Sequence, residues 1–283
     1  MSFADLHLHS NFSDGTFTPE EVVERGKRAG LRALALTDHD TIEGCERTAA
    51  ACAAAGIEFI VGTELTAEHN DNELHILAYL VDPRNPRLLG EIATFQKVRQ
   101  QRIREMVARI NELNIPLNAD DVFALANCRS PGRPHVARAL VKARLCGTLD
   151  EAFERFLKKG RPAWVPKAKM SALDAIELIH QAGGLAVMAH PGLNKTDESI
   201  PDLVASGLDG IECFHTKHNA VTAERYQKIV QENGLLVTGG SDCHGLSKGK
   251  PLIGTVKLDY RHVEKLYAAK KTADEKRAAA ATN

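Results

Sequence analysis

Phe3-Ala4-Asp5-Leu6-His7-Leu8-His9 sets two histidines one residue apart in a short apolar run. On an extended chain, side chains two apart share a face, so His7 and His9 reach one point while Leu6 and Leu8 enter the packing on the other side. The segment predicts a strand that carries a metal site and a core face together. Outward from it, Thr18 as N-cap, Pro19 at the first helical position, and Glu20 and Glu21 in the first turn open a helix. An apolar run from Leu31 to Thr37, a helical pattern from Glu43 to Ala55 and a run from Ile57 to Thr63 complete a βαβαβ rhythm. A further run, Glu73 to Val81, ends at the turn-rich Asp82-Pro83-Arg84-Asn85-Pro86. The rhythm then changes. A long Arg- and Gln-rich helical pattern spans Leu88 to Asn114, with shorter ones at Ala119 to Ala126, His135 to Leu145 and Leu149 to Lys158. Residues 86–165 therefore predict a mostly helical insertion that could cap a site. Alternation resumes with a helix from Ser171 to Ala182, stopped by Gly183-Gly184. Runs at Leu185 to Ala189 and Leu208 to Phe214, a helix over Asn219 to Asn233 and a run at Leu235 to Thr238 follow. The expectation is an α/β fold of parallel strands with crossover helices, built from residues 1–85 and 166–260. The Ala- and Lys-rich tail, 261–283, is expected to be a fraying surface helix without chemistry.

Bulk properties exclude several classes. The 283 residues leave room for one α/β barrel, which takes about 250. Hydrophobic residues at 43% and charged ones at 26% describe an ordinary globular protein, and 5% aromatics give little base-stacking surface. With 36 Lys and Arg against 37 Asp and Glu, the net charge of -1 provides no field to hold a long nucleic acid, whereas a small anion or short RNA held by a local cluster is compatible. The start has no charged segment followed by an apolar one, and no run approaches a membrane span, so a cytoplasmic protein with no membrane role and no obligate protein partner is expected. Cys45, Cys52, Cys128, Cys146, Cys213 and Cys243 follow no paired spacing and fit reduced, buried thiols.

Residues suited to metals recur where the apolar runs end: His7 and His9, His39, Glu64, His190, then Asp242 and His244. Asp14 follows the first strand closely, and His75 lies within the fourth run. C-terminal strand ends of parallel α/β folds converge on one rim, which would gather these residues despite their separation. Imidazoles mixed with carboxylates suit Zn, Mn or Fe. Nine donors exceed one tetrahedral ion and point to two or three metals sharing a carboxylate, a hydrolytic arrangement. In the insertion, Ser130-Pro131-Gly132-Arg133-Pro134-His135 reads as a turn into a helix start, where free N–H groups with Ser130, Arg133 and His135 could hold a phosphate; a simple capped loop is the plainer alternative. Lys167 or Lys169 and Lys217 could add charge at the rim, or lie on a solvated face.

His7-Leu8-His9, Asp14-Gly15, Thr37-Asp38-His39-Asp40, Gly62-Thr63-Glu64, His75, His190-Pro191 and Ser241-Asp242-Cys243-His244 resemble, in order, the motifs of the polymerase and histidinol phosphatase (PHP) family. The resemblance runs from about residue 5 to 254, interrupted by the insertion. It implies a distorted seven-stranded (β/α)7 barrel with a trinuclear metal centre. One ion would take His7, His9 and Asp242, another His75 and His190, and a third Asp14, His39 and His244, with Glu64 bridging the first two. Manganese is the leading metal, with iron or zinc as alternatives. None of the nine positions departs from the family pattern, which argues against a non-catalytic accessory domain. The implied chemistry is phosphoester hydrolysis by a metal-bound hydroxide, with Asp242 as ligand and proton acceptor and His215 as candidate acid or substrate contact. Within the family, the insert with its Arg-Pro-His turn resembles that of enzymes removing the 3'-phosphate of nucleoside 3',5'-bisphosphates and of exoribonucleases trimming short RNA from the 5' end. Histidinol phosphate hydrolysis is the nearest rival, and carbon-nitrogen hydrolysis a more distant one.

Overall fold

The computed structural model describes residues 2–167, 170–194, 196–247 and 249–281; Lys169 lies outside them. Strand β1 (Phe3–Asp5), helix α1 (Pro19–Arg28), β2 (Leu31–Leu36), α2 (Cys45–Ala55) and β3 (Glu58–His69) form the expected βαβαβ unit, with β1, β2 and β3 parallel. Thr18 caps α1 reciprocally: its hydroxyl accepts from the Glu21 N–H, and the Glu21 carboxylate accepts from the Thr18 N–H at 2.8 Å.

The fourth strand corrects the all-parallel expectation. β4 (Asn72–Tyr79) runs antiparallel to β3, the two joined by Asn70 and Asp71 at φ 49° and 62°. Two left-handed residues between paired strands make a tight hairpin, a conformation that Asn and Asp tolerate. β3 is consequently longer than the Ile57 to Thr63 run, and β4 enters the sheet from the rim at which the parallel strands end.

Beyond the insertion come β5 (Met170–Ser171), α7 (Ala172–Gln181), β6 (Leu185–Met188), α8 (Pro191–Asn194), α9 (Ile200–Ala205), β7 (Gly210–His215), α10 (Ala220–Asn233), β8 (Leu236–Gly240), β9 (Leu258–Asp259) and α11 (Arg261–Ala281). The sheet order is β8-β7-β6-β4-β3-β2-β1-β9. Its ends meet: Leu6 N–H donates to Gly239 O at 3.1 Å, Asp242 N–H to His7 O at 2.9 Å, and His9 N–H to Cys243 O at 3.1 Å. The result is a distorted, nearly closed barrel, irregular because β4 is reversed and β9 pairs antiparallel with the start of β1.

Strand alternation sorts the packing. Leu77, Tyr79, Leu185 and Val187 join Ala33, Ala35 and Ile60 in one cluster, while Ile76, Ala78, Ala186 and Met188 pack with Ala175, Ile176 and Ile179 of α7 in another. Glu64 shares the face of Ile60, and His75 that of Leu77, so the site crowns the first cluster. Within the insertion, α3 (Pro86–Glu112), α4 (Ala119–Ala126), α5 (Arg133–Lys142), α6 (Leu149–Ala152) and the π-helical turn Phe153–Leu157 pack around their own apolar cluster, with Met106, Ile110, Val122, Val136, Leu140 and Leu157 fully buried. The tail is helical through α11, where Val263 and Leu266 are buried and Arg277 donates to the carbonyls of Gly183 and Gly184. No helix among the described residues is long and apolar enough to cross a membrane.

Candidate metal centre

The chain from Leu6 to His9 is fully buried on both sides. The ladder of β1 ends at Asp5, but the extended backbone continues between Thr37, whose N–H donates to Leu8 O at 2.8 Å, and Cys243. His7 and His9 are thereby fixed side by side under the mouth of the barrel. His190 and Asp242, just past β6 and β8, hold φ of 27° and 52°. Such conformations in residues with a Cβ persist where surrounding contacts impose them. For His190, the imposing contact is its N–H donating to Glu212 at 2.8 Å.

Glu64 occupies the middle. Its Oε2 lies 3.3 Å from His7 Nε2, 3.3 Å from His9 Nε2 and 3.0 Å from His39 Nδ1. Its Oε1 lies 2.7 Å from His75 Nδ1 and 3.0 Å from His190 Nε2. Asp242 Oδ1 stands 3.1 Å from His9 Nε2 and 3.5 Å from His7 Nε2, and Asp14 Oδ1 stands 3.1 Å from His244 Nε2 and 4.0 Å from His39 Nε2. All nine expected donors are thus brought together. They fall into groups able to hold an ion: His7, His9 and Asp242; His9, Asp14, His39 and His244; His7, Glu64 and His190; His39, Glu64 and His75. Reversal of β4 puts His75 in reach near the start of its strand, where a parallel strand would have carried it away.

The donor set fits divalent ions. His7 Nε2, His9 Nε2, Asp14 Oδ1 and Glu64 Oε2 are buried without hydrogen-bond partners, a costly condition for polar atoms that coordination relieves. Burial pushes His9 down to about 3, aided by His244, and His75 to about 4, which keeps both imidazoles in the neutral, ligating form. Burial would raise Glu64, Asp14 and Asp242, but the surrounding histidines hold all three well below the carboxylate range.

Three features escaped the sequence reading. Glu212, on β7 and fully buried, accepts from His7 Nδ1 at 3.0 Å, which directs Nε2 toward Glu64 and Asp242. Its signal is a lone acid in the apolar strand Gly210–His215. Asp38 accepts from Ser10 N–H and from the Ser10 and Ser13 hydroxyls, fixing the loop that leads to Asp14. Arg99 and Arg102, one turn apart on α3, line a cavity of about 320 Å3 together with the donors, Arg133 and Lys167.

The other expected residues are placed variously. His215 Nε2 lies 3.5 Å from Asp242 Oδ2, and its Nδ1 accepts from the Lys217 N–H at 3.1 Å, which leaves the proton of the neutral ring on Nε2. Arg133 is on the cavity wall, and Lys167 meets Glu73 at 2.9 Å. Ser130 donates its hydroxyl to His39 O at 2.6 Å, and His135 Nδ1 accepts from Gly132 N–H at 3.0 Å. Both hold the turn together and neither lines the cavity; Lys217 is exposed, also outside it.

The PHP domain model matches residues 5–182. The 3',5'-nucleoside bisphosphate phosphatase of Chromobacterium violaceum is 34% identical over 90% of this chain and 91% of its own length. A 5'-3' exoribonuclease of Haemophilus influenzae is 34% identical over 85% of this chain and 89% of its own. A solved structure from Bifidobacterium adolescentis, described as a metal-dependent phosphoesterase, superposes with a TM-score of 0.88 at 35% identity, covering 94% of this chain and 96% of that one. The chain belongs to the PHP domain family and is a metal-dependent phosphoesterase.

Proposed function

We propose that the protein hydrolyses the 3'-phosphate of nucleoside 3',5'-bisphosphates, such as adenosine 3',5'-bisphosphate, to give the 5'-monophosphate and phosphate. One observation carries this reading: the histidine and carboxylate donors and the cations Arg99, Arg102, Arg133 and Lys167 line a single cavity. A molecule with two phosphates is complementary to both sets at once. Histidinol phosphate, with one phosphate and an amine, would set its positive end against the cationic wall. Similarity to the Haemophilus exoribonuclease over most of the chain favours a second use of the same cavity, 5'-3' trimming of short 5'-phosphorylated RNA.

Three divalent ions, manganese foremost, would be held by His7, His9 and Asp242, by His75 and His190, and by Asp14, His39 and His244, with Glu64 shared through its two oxygens. Bound there, they supply Lewis acidity toward water and toward the phosphoryl oxygens. The chain's own work is orientation and proton handling. Glu212 fixes His7, and Ser130 ties the insertion's turn to the carbonyl of His39. His215, whose Nε2 stands 3.5 Å from Asp242 Oδ2, is placed beside Asp242 to hand a proton to a departing oxygen. The test is phosphate release by the purified, Mn-loaded protein. Adenosine 3',5'-bisphosphate is expected to be the better substrate, and preference for histidinol phosphate would overturn the assignment.

A further inference from the structure

A second cavity, of about 700 Å3, opens beside the metal centre, between the start of α10 and the segment 252–257. His215 belongs to both places: its Nε2 stands 3.5 Å from Asp242 Oδ2, and it lines the second cavity with Phe214 and Thr216. Thr216 makes another link, donating its hydroxyl to the carbonyl of Ser241 at 3.3 Å, one residue before Asp242. Among the described residues no carboxylate lines this cavity, and Lys257 is its one full charge. The half-buried His218 spends both ring nitrogens, with Nδ1 donating to Cys213 O at 3.0 Å and Nε2 accepting from Gly192 N–H at 3.2 Å, so a ligand meets the ring itself. Asn219 and Gln227 each commit one end of the amide to α10, Oδ1 accepting from Thr222 N–H at 2.9 Å and Nε2 donating to Ala223 O at 3.2 Å, and keep the other end for a ligand. Rings, amide ends and a cation, with no acid among them, suit a nucleotide of single-stranded RNA, whose base stacks on rings and whose phosphate needs a positive charge.

We propose that this second cavity is the subsite for the nucleotide on the 3' side of the scissile phosphate, with the RNA strand leaving the metals over the ridge His215-Thr216-Lys217. This rests on the reading of the protein as a 5'-3' trimmer of short 5'-phosphorylated RNA. A terminal 3'-phosphate has nothing to place there, whereas the scissile phosphate of an oligonucleotide carries a second ester, and the nucleotide on that ester lies next to the metals. Lys217, exposed on the ridge, and Lys257, inside the cavity, meet the phosphate that follows, and Phe214 and His218 offer rings to the base. Stacking is tolerant of base identity, so the subsite extends the strand without selecting its sequence.

The experiment uses the full chain, Mn-loaded, with two substrates: adenosine 3',5'-bisphosphate, which ends at the metals, and 5'-phosphorylated triadenylate, which continues past them. The double variant Gln227→Glu/Lys257→Glu reverses the charge of the second cavity and touches no metal donor. Its kcat/KM ratio of triadenylate to bisphosphate is expected to fall about tenfold or more, mainly through KM, while Lys257→Arg keeps the wild-type ratio. If wild type releases no nucleotide from triadenylate, the trimming reading fails and the subsite with it, whereas the bisphosphate reading stands. If wild type trims triadenylate and the double variant has the wild-type ratio, the subsite is refuted and the trimming reading stands. A loss shared equally by both substrates leaves the ratio unchanged and also counts against the subsite. Should the double variant not fold, Lys257→Glu alone, at an exposed position, is scored by the same ratio: a fall supports the subsite, and a wild-type ratio overturns it.

Discussion

The barrel rim and the cations brought by the insertion line one cavity, yet they hold their functional groups in opposite ways. On the rim, donors drawn from His7 to His244 interlock: Glu64 alone stands within 3.3 Å of five histidines, and His7 and His9 also reach Asp242. On the wall, four long cations reach in from α3, the start of α5 and the return to the barrel, and two of them have carboxylate partners of their own. An interlocked set fails as a unit, because removing one member leaves buried charges uncompensated. A set of separate long side chains yields one contact at a time. Rim substitutions should therefore act on metal content and turnover together, and wall substitutions on substrate affinity in graded steps.

The sharpest way to break this contrast is Glu64→Ala, for which we expect metal content to collapse and phosphate release to fall on the order of 10^2- to 10^3-fold or more. Elemental analysis of the purified variant beside its rate would show otherwise if ions stay bound in full. Glu212→Gln keeps the shape but weakens the acceptor facing His7, and a loss of about 10- to 100-fold in metal affinity is expected, read by competition with a chelator. Unaltered affinity would make Glu212 a packing residue. On the wall, Arg133→Gln should raise KM for adenosine 3',5'-bisphosphate about tenfold or more while bound metal stays at the wild-type level; an unchanged KM would remove Arg133 from substrate recognition. The smallest effect is that of salt. Raising ionic strength toward ~1 M, where the screening length is about 3 Å, should raise that KM several-fold without releasing metal, and a salt-independent KM would contradict the electrostatic account of the wall.

How far the sequence could be read follows the same division. Seven of the donors were visible because strand ends repeat a local pattern, Asp14 and His75 joined them from a turn and from within a run, and alternation with helices supplied the topology that converges them. The reversal of β4 was signalled by Asn70-Asp71, but the pair lacks the glycine that usually marks a tight hairpin, and the run after it read as another parallel strand. Glu212 was hidden for a different reason: a single acid in a strand has no period, and only the partner His7, far away in the chain, gives it meaning. Arg99 and Arg102 lay in a helix rich in Arg and Gln, where spacing cannot distinguish a side chain turned to water from one turned to Asp40 or the cavity. Ser130 and His135 show the converse. Their motif was legible as a turn, and the structure uses their side chains to build that turn.

The seam where Leu6 meets Gly239 and His7 meets Asp242 sets a timetable for the newborn protein. The segment after β1 carries two of the three members of one donor group, His7 and His9, and the third, Asp242, arrives only after β8 has been synthesised. Closing a loop of that length costs entropy that grows slowly with its span, so the final strand can still find its place, but no shorter nascent chain can hold the first ion in its complete setting. The group of His7, His9 and Asp242 is thereby completed only after β8, and an ion held there would fasten the two ends of the barrel to each other.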